Sequence, residues 1–210
     1  MTIQVFNPKW YFQSQLGPRS QLIVDELFRE YIANENNFHQ PEDWNCNVQT
    51  SWSIKPDESA PYGEWLDVLR PIFDKFIEEV GSKTDIEILP MNAWVSKYNS
   101  GDSQEAHDHC DPTNNLSMVY FHTVNDDDGC AFKFINTEHQ LYRSQGLDVL
   151  NTPSQQVTVP EVKKGDVIIF PSHYLHLVSP HRGTTTRITI SANFNLVPAQ
   201  QPAQDAGQED

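Results

Sequence analysis

From Pro18 to about Asn34 the apolar positions Leu22, Ile23, Leu27, Phe28 and Tyr31 recur at helical spacing. This stretch reads as an amphipathic helix with one face for a core. Pro18 suits an early helical position, because the first turn leaves its backbone N–H groups without intrahelical partners and proline has none to lose. A second stripe runs from about Tyr62 to Val80, through Trp65, Leu66, Leu69, Ile72, Phe73, Phe76, Ile77 and Val80. Gly81 should stop that helix, and Pro71 should kink or divide it. Beyond Gly81 the pattern changes. Short runs rich in β-branched and aromatic residues follow at about 85–98, 116–124, 130–136, 155–162, 166–171, 174–178 and 186–195, with turn formers between them. Helices followed by many short strands describe an α+β chain, mainly β, in which N-terminal helices buttress a β-sandwich or jelly roll. The segment from His139 to Pro153 is less regular and reads as a long loop of the kind that often serves as a lid. From Pro198 to Asp210 there is only Pro, Ala, Gln, Gly and acid, too little apolar surface to offset the entropy of ordering. The expected organisation is one domain over 1–197, its β core at about 85–197, and a disordered tail at 198–210.

Charge narrows the partners. The 210 residues carry 14 Lys plus Arg against 29 Asp plus Glu, a formal net charge of −15. Such a surface repels phosphate backbones and anionic lipid, and no basic run is longer than Lys163-Lys164, so neither nucleic acid nor a membrane surface is an expected partner. With 11 Phe, 7 Tyr and 5 Trp the chain can bury a sizeable core. Cys46, Cys110 and Cys130 form no CxxC pair and read as reduced thiols. Met1 to Trp10 lacks the basic and apolar regions of a signal peptide, and no window approaches eighteen apolar residues, so the expected location is cytoplasmic. Nothing in the sequence specifies an oligomeric state.

The histidines fall in two groups, His107, His109 and His122 near one strand and His173, His176 and His181 near another. The first group contains His109-x-Asp111. In an extended chain residues two apart point to the same side, so an imidazole nitrogen and a carboxylate oxygen can meet one ion there. A histidine from elsewhere would complete two imidazoles and a carboxylate on one face of an octahedron, leaving the open positions that Fe(II) needs for a bidentate cosubstrate and oxygen. His176 lies among Leu175, Leu177 and Val178, so it must be partly desolvated and needs either a hydrogen bond or a metal. His39, His122, His139, His173 and His181 read as surface or hydrogen-bonded side chains, and Trp44, Trp52, Trp65 and Trp94 as core.

The last strand is more telling. Arg187, Thr189, Ser191 and Asn193 alternate with Ile188, Ile190, Ala192 and Phe194. A polar face that was simply wet would be expected, in so acidic a chain, to carry some Asp or Glu, and this one carries none. Lining a barrel interior, Arg187 would be a buried fork for a carboxylate, with Thr189 and Ser191 as hydroxyl donors. The Pro180 to Gly183 turn lies midway between His176 and Arg187, so both can reach one cavity from successive strands.

Trp94, Tyr98, Gly101, His109-x-Asp111, the Gly165-Asp166 strand, Phe170-Pro171-Ser172, His176-x-Val178-x-Pro180, Gly183 and Arg187 together resemble the 2-oxoglutarate/Fe(II)-dependent oxygenases. The pattern is most similar to small prolyl-4-hydroxylase-like members from bacteria and phage, and it covers roughly Asp85 to Leu196. The resemblance implies a double-stranded β-helix, the jelly-roll fold that the strand count also suggests. It implies Fe(II) bound by His109, Asp111 and His176, and 2-oxoglutarate bound through Arg187, with Thr189 beside it and Tyr98 as a further candidate. Some relatives carry His-x-His instead. Counting forward from Gly101 then makes His107 and His109 the pair, whereas counting back from Leu116-Ser117 gives His109 and Asp111. Asp111 is the preferred third ligand because a hard carboxylate balances the charge of Fe(II), with His107 the alternative and Asp108 a supporting group.

The expected function is thus hydroxylation of a small molecule or of a peptide or protein, with peptidyl proline the family-level guess for the substrate. Two competing expectations are a three-histidine, cupin-like metal dioxygenase that would use His107 without needing Arg187, and a non-catalytic jelly-roll binding module.

Overall fold

A computed structural model describes residues 9–53, 60–124, 132–150 and 155–199. In chain order its elements are β1 (Phe12–Gln15), α1 (Pro18–Ala33), β2 (Gln49–Thr50), α2 (Tyr62–Val80), β3 (Ile86–Tyr98), β4 (Gln104–His107) and β5 (Leu116–Thr123). There follow β6 (Phe132–Ile135), α3 (His139–Ser144), β7 (Val157–Thr158), β8 (Asp166–Pro171), β9 (His176–Val178) and β10 (Arg187–Pro198). The strands form two antiparallel sheets, a major one ordered β1-β8-β5-β10-β3-β2 and a minor one ordered β4-β9-β6-β7. This is the mainly β jelly roll expected from the strand pattern, the double-stranded β-helix that the resemblance implies.

Three layers result. α1 offers Val24, Phe28 and Tyr31, and α2 offers Trp65, Leu69, Ile72 and Phe76, all buried against Val95, Met118, Tyr120, Val167, Ile169, Ile190, Ala192 and Phe194 on the outer face of the major sheet. On the inner face a second core forms from Tyr98, Val119, Phe121, Ile168 and Phe170 with Phe132, Phe134 and Val178 of the minor sheet. The central strands therefore bury both faces, as their near-continuous apolar sequence requires. Among the described residues no helix is long and apolar enough to cross a membrane.

Helix α2 runs through Pro71 undivided. The proline removes one backbone bond, but the buried residues at 65, 69, 72 and 76 keep a single stripe on the sheet across it, so packing holds the helix together. The segment expected as a structureless loop from 139 contains α3 and a short 3₁₀ turn at 147–149, while 151–154 lie outside the described residues. The run expected at 155–162 pairs only at Val157–Thr158. Pro198 ends β10, and 200–210, most of the expected tail, also lie outside the described residues. Entry into β8 depends on Gly165: its φ is +85°, and a Cβ there would come within 2.3 Å of the Gln21 amide.

Candidate active site

The alternation in β10 places Arg187, Thr189, Ser191 and Asn193 on the inner face of the major sheet. All four are buried, and Arg187 is only 1% exposed. Each faces a partner on β3: Arg187 opposes Tyr98, Thr189 opposes Ser96 and Ser191 opposes Trp94. Directly opposed residues on antiparallel strands share a face, so these side chains form one wall. A cavity lies between this wall and the minor sheet, closed by Val119, Phe121, Phe132, Phe170 and Val178. No Asp or Glu is among its described lining residues. The Arg187 guanidinium carbon stands 5.4 Å from the centre of the Phe121 ring.

At one end of the cavity three histidines converge. His107 of β4 and His176 of β9 are cross-strand partners, and their ring centres are 4.3 Å apart. His109 follows two residues on, with its ring 5.1 Å from His107 and 5.2 Å from His176. One ring nitrogen from each lies within 4.8 Å of the others. Backbone carbonyls fix two of the rings: His107 Nδ1 meets the Glu105 carbonyl at 2.8 Å, and His176 Nδ1 meets that of Tyr174 at 2.8 Å. With the proton on Nδ1 of each, the Nε2 lone pairs remain for an ion, which is how a carbonyl hydrogen-bonded behind the ring orients a metal-binding imidazole. The backbone N–H of His109 donates to the Ser172 carbonyl at 2.9 Å. Ser172 is joined through Ser117 to the buried Asn193, which donates to Asn92.

Burial sets the protonation of the cluster. Desolvation, with the neighbouring His107 second, pushes the His109 imidazolium down to about 4. Burial likewise lowers His107, and burial with the two neighbouring imidazoles holds His176 well below the ordinary value. All three are then neutral donors near pH 7, the form in which imidazole binds a metal. The donor set suits a divalent ion such as Fe(II), which accepts imidazole nitrogen, and leaves positions open for further ligands. Arg187 suits the anionic cosubstrate, because it is a guanidinium fork buried in a cavity whose described walls carry no carboxylate.

Asp111 stands outside this group. The extended run facing the cavity ends with β4 and His109, and at Asp111 the chain turns into an isolated bridge with Asn114. There the Asp111 carboxylate accepts the Thr113 hydroxyl at 2.6 Å and the Thr113 N–H at 2.8 Å, bonds that hold it below the usual carboxylate range. Asp108 is exposed and caps Cys110 N–H. Tyr98 lines the cavity, and its hydroxyl donates to Gln104 Oε1 at 2.8 Å. Gln104, absent from the sequence-based candidates, also brings its amide nitrogen to 3.4 Å from His107 Nε2. Trp65 and Trp94 are buried, as expected of core tryptophans, and Trp94 also lines, with Trp44 and Trp52, a second cavity beside the histidines. Of the other histidines, His122 bonds Thr123 and His181 bonds the Thr185 carbonyl, while His173 is exposed.

Residues 92–193 match the sequence profile of the family described as "Putative 2OG-Fe(II) oxygenase". No curated protein sequence matches. Among solved structures, a prolyl-4-hydroxylase from Pseudomonas putida superposes with a TM-score of 0.58 at 14% identity, covering 89% of this chain and 92% of that one. A Trichoplax adhaerens prolyl hydroxylase, solved with a hypoxia-inducible-factor oxygen degradation domain peptide fragment, gives 0.60 at 15% identity over 90% and 84%. The viral collagen prolyl hydroxylase of Paramecium bursaria Chlorella virus-1, in a 2-oxoglutarate complex, gives 0.55 at 14% over 91% and 98%. The fold is thus that of the prolyl-4-hydroxylase-like double-stranded β-helix enzymes. Over residues 92–193 the sequence is similar to that of the 2-oxoglutarate/Fe(II)-dependent oxygenases, a family of dioxygenases whose cofactors are Fe(II) and 2-oxoglutarate.

Proposed function

We propose that this chain hydroxylates a C–H bond of its substrate with Fe(II) held by His107, His109 and His176 and 2-oxoglutarate held by Arg187. The observation that carries this reading is the convergence of three ring nitrogens within 4.8 Å at the end of the Arg187 cavity. Fe(II), 2-oxoglutarate and dioxygen together supply oxidation of C–H to an alcohol, with succinate and carbon dioxide as coproducts. The protein orients, shields and balances charge. Carbonyls of Glu105 and Tyr174 keep the lone pairs of His107 and His176 aimed inward. Arg187 offers two parallel N–H groups to a carboxylate, with the Thr189 hydroxyl on the same wall and the Tyr98 hydroxyl, held by Gln104, beside it. Phe121, Phe132 and Phe170 keep that exchange out of water, where the charge-assisted bonds are stronger. Three neutral imidazoles leave the dication uncompensated, so a dianionic cosubstrate brings the balance that a carboxylate ligand would otherwise provide.

Metal titration of single variants tests the ligand set. His107→Ala should lower metal affinity at least tenfold and abolish 2-oxoglutarate turnover, whereas Asp111→Ala should leave both close to wild type. The reverse pattern would restore Asp111 as the third ligand. The three-histidine set by itself also favours a second reading, a cupin-like dioxygenase independent of 2-oxoglutarate. Anaerobic addition of Fe(II) and 2-oxoglutarate separates the two, since a weak visible charge-transfer band should appear only if the keto acid chelates the metal.

The peptide complex of the Trichoplax neighbour supports a peptidyl substrate by likeness of fold. The acidic surface favours a basic or neutral target.

A further inference from the structure

The histidines separate two cavities of opposite polarity. The inner one contains the buried Arg187 and no carboxylate among its described lining residues. The outer one, about 220 Å³, shares Trp94, Gln104, His107 and His109 with it and adds Trp44, Trp52, Glu105 and Asp108. No Lys or Arg is among the described residues that line the outer cavity. Trp52 stands edge-on to Trp94, with ring centres 4.7 Å apart and planes at 81°, and Trp94 in turn lies 5.4 Å from the His109 ring.

Glu105 links the parts of this wall. Its Oε1 accepts the Asn45 N–H at 3.0 Å, which ties the loop bearing Trp44 to β4, and Gln40 braces that loop by donating to the Cys46 carbonyl at 2.9 Å. Beyond the Asn45 bond the Glu105 carboxylate meets the Cys46 thiol, a weak donor, and its own backbone N–H. That carboxylate and Asp108, beside three indole rings in a cavity without a basic side chain among its described lining residues, make a field that favours positive charge. Indole faces attract cations through their quadrupole, and the attraction grows as water is removed. The same carboxylates disfavour a dianion, which leaves the outer cavity to the other reactant.

We propose that the outer cavity binds a cationic nitrogen group of the substrate, an ammonium or guanidinium, against Trp44, Trp52 and Trp94 in the field of Glu105 and Asp108. This rests on the metal and cosubstrate assignment above, because that assignment reserves the inner cavity for 2-oxoglutarate and places the substrate's reacting carbon on the outer side of the histidines. The cation can belong to a Lys or Arg side chain of a peptide or to a free amine, the shared chemistry being the charged nitrogen.

Tryptophan fluorescence of the protein loaded with Mn(II) and 2-oxoglutarate provides the test. It is titrated with choline and its neutral isostere 3,3-dimethyl-1-butanol, and with N-acetyl-lysine, N-acetyl-arginine, N-acetyl-norleucine and N-acetyl-proline methylamides. The cation of at least one pair should bind tenfold or more tightly than its neutral counterpart, and added salt should narrow the gap. A blocked Lys or Arg preferred over choline would identify a peptide source, and the reverse a free amine. Asp108→Asn, an exposed change, should shrink the cation preference, and Trp44→Leu should weaken every cation while leaving Mn(II) affinity unchanged. Equal binding of cation and isostere, absence of binding by every cation, or tighter binding of the proline derivative than of any cation would overturn the proposal. Calorimetry of Mn(II) and 2-oxoglutarate on the same samples separates the two readings: their failure to bind refutes the metal and cosubstrate assignment, and the cation comparison is then repeated on metal-free protein, whose outer cavity has the same walls.

Discussion

Arg187 is almost wholly buried, and its charge cannot be discarded by deprotonation, so the fold must supply compensation for it. If a cosubstrate carboxylate provides much of that, two charge-assisted bonds worth on the order of a few kcal/mol are at stake. Arg187→Met should then weaken 2-oxoglutarate roughly a hundredfold at about 1.4 kcal/mol per factor of ten. Mn(II) affinity should hardly move, and calorimetry with each ligand in turn checks both. His122, on β5 and away from the metal cluster, gives a pH prediction. Burial pushes its imidazolium down to about 4, with Asp25 opposing and Lys164 assisting. The unfolded chain takes up this proton from about pH 6.5 downward while the folded chain declines it until about 4. Stability is therefore lost as pH falls across that window, by up to roughly 3 kcal/mol from this residue. His122→Asn should flatten the urea-unfolding midpoint between pH 6.5 and 4 relative to wild type. Residues with a periodic context were the legible ones: His176 sits in an apolar strand and Arg187 begins an alternating one. Asp111 shows the limit of spacing: His-x-Asp at strand period places both side chains on one face only if the run stays extended, and Asp111-Pro112-Thr113-Asn114-Asn115 turns instead. Trp44 and Trp52 lie in short irregular segments where aromatic character alone suggests core.

The elements that sequence periodicity predicts well are those buried on a long face. α1, α2, β3, β5, β8 and β10 fall within a few residues of expectation because each carries enough apolar positions to reveal its period. β1 (FQSQ), β2 (QT) and β4 (QEAH) do not, being short and polar and existing through pairing with β8, β3 and β9. β4 bears on the proposed site, since it is the strand that sets His107 opposite His176. Helix α2 illustrates the division of labour between layers. Leu69 is completely buried on the outer side of the major sheet, on the opposite face from the cavity. Leu69→Ala should reduce stability by about 2–5 kcal/mol through lost burial and a residual void. Metal affinity of the remaining folded protein should be unchanged, as thermal unfolding and Mn(II) titration on the same preparation would reveal. A parallel loss of metal affinity would mean that the helical layer controls the site as well as supporting it.

At the scale of the whole molecule, a chain of net charge −15 encloses a guanidinium in its central cavity and faces it, across three histidines, with carboxylates and indoles. The layer order was legible because helices precede strands and the strands are apolar on both sides. The juxtaposition of the cavities was not, because it joins the loop near residue 44 to β4, a contact between segments some sixty positions apart. β10 joins the two interiors: Ile188, Ile190, Ala192 and Phe194 belong to the helix-facing core, and the residues between them form the cavity wall. Substitution and frame are therefore unequal insults. Replacing one side chain harms either the support or the chemistry, but deleting a single residue between 187 and 193 transposes the two sets downstream of the gap. Isoleucines would enter the polar chamber while hydroxyls and amides met the helices. Such a deletion should abolish soluble folded protein even where each flanking substitution is tolerated, as expression with circular dichroism would report. The length of this segment is more constrained than its spelling.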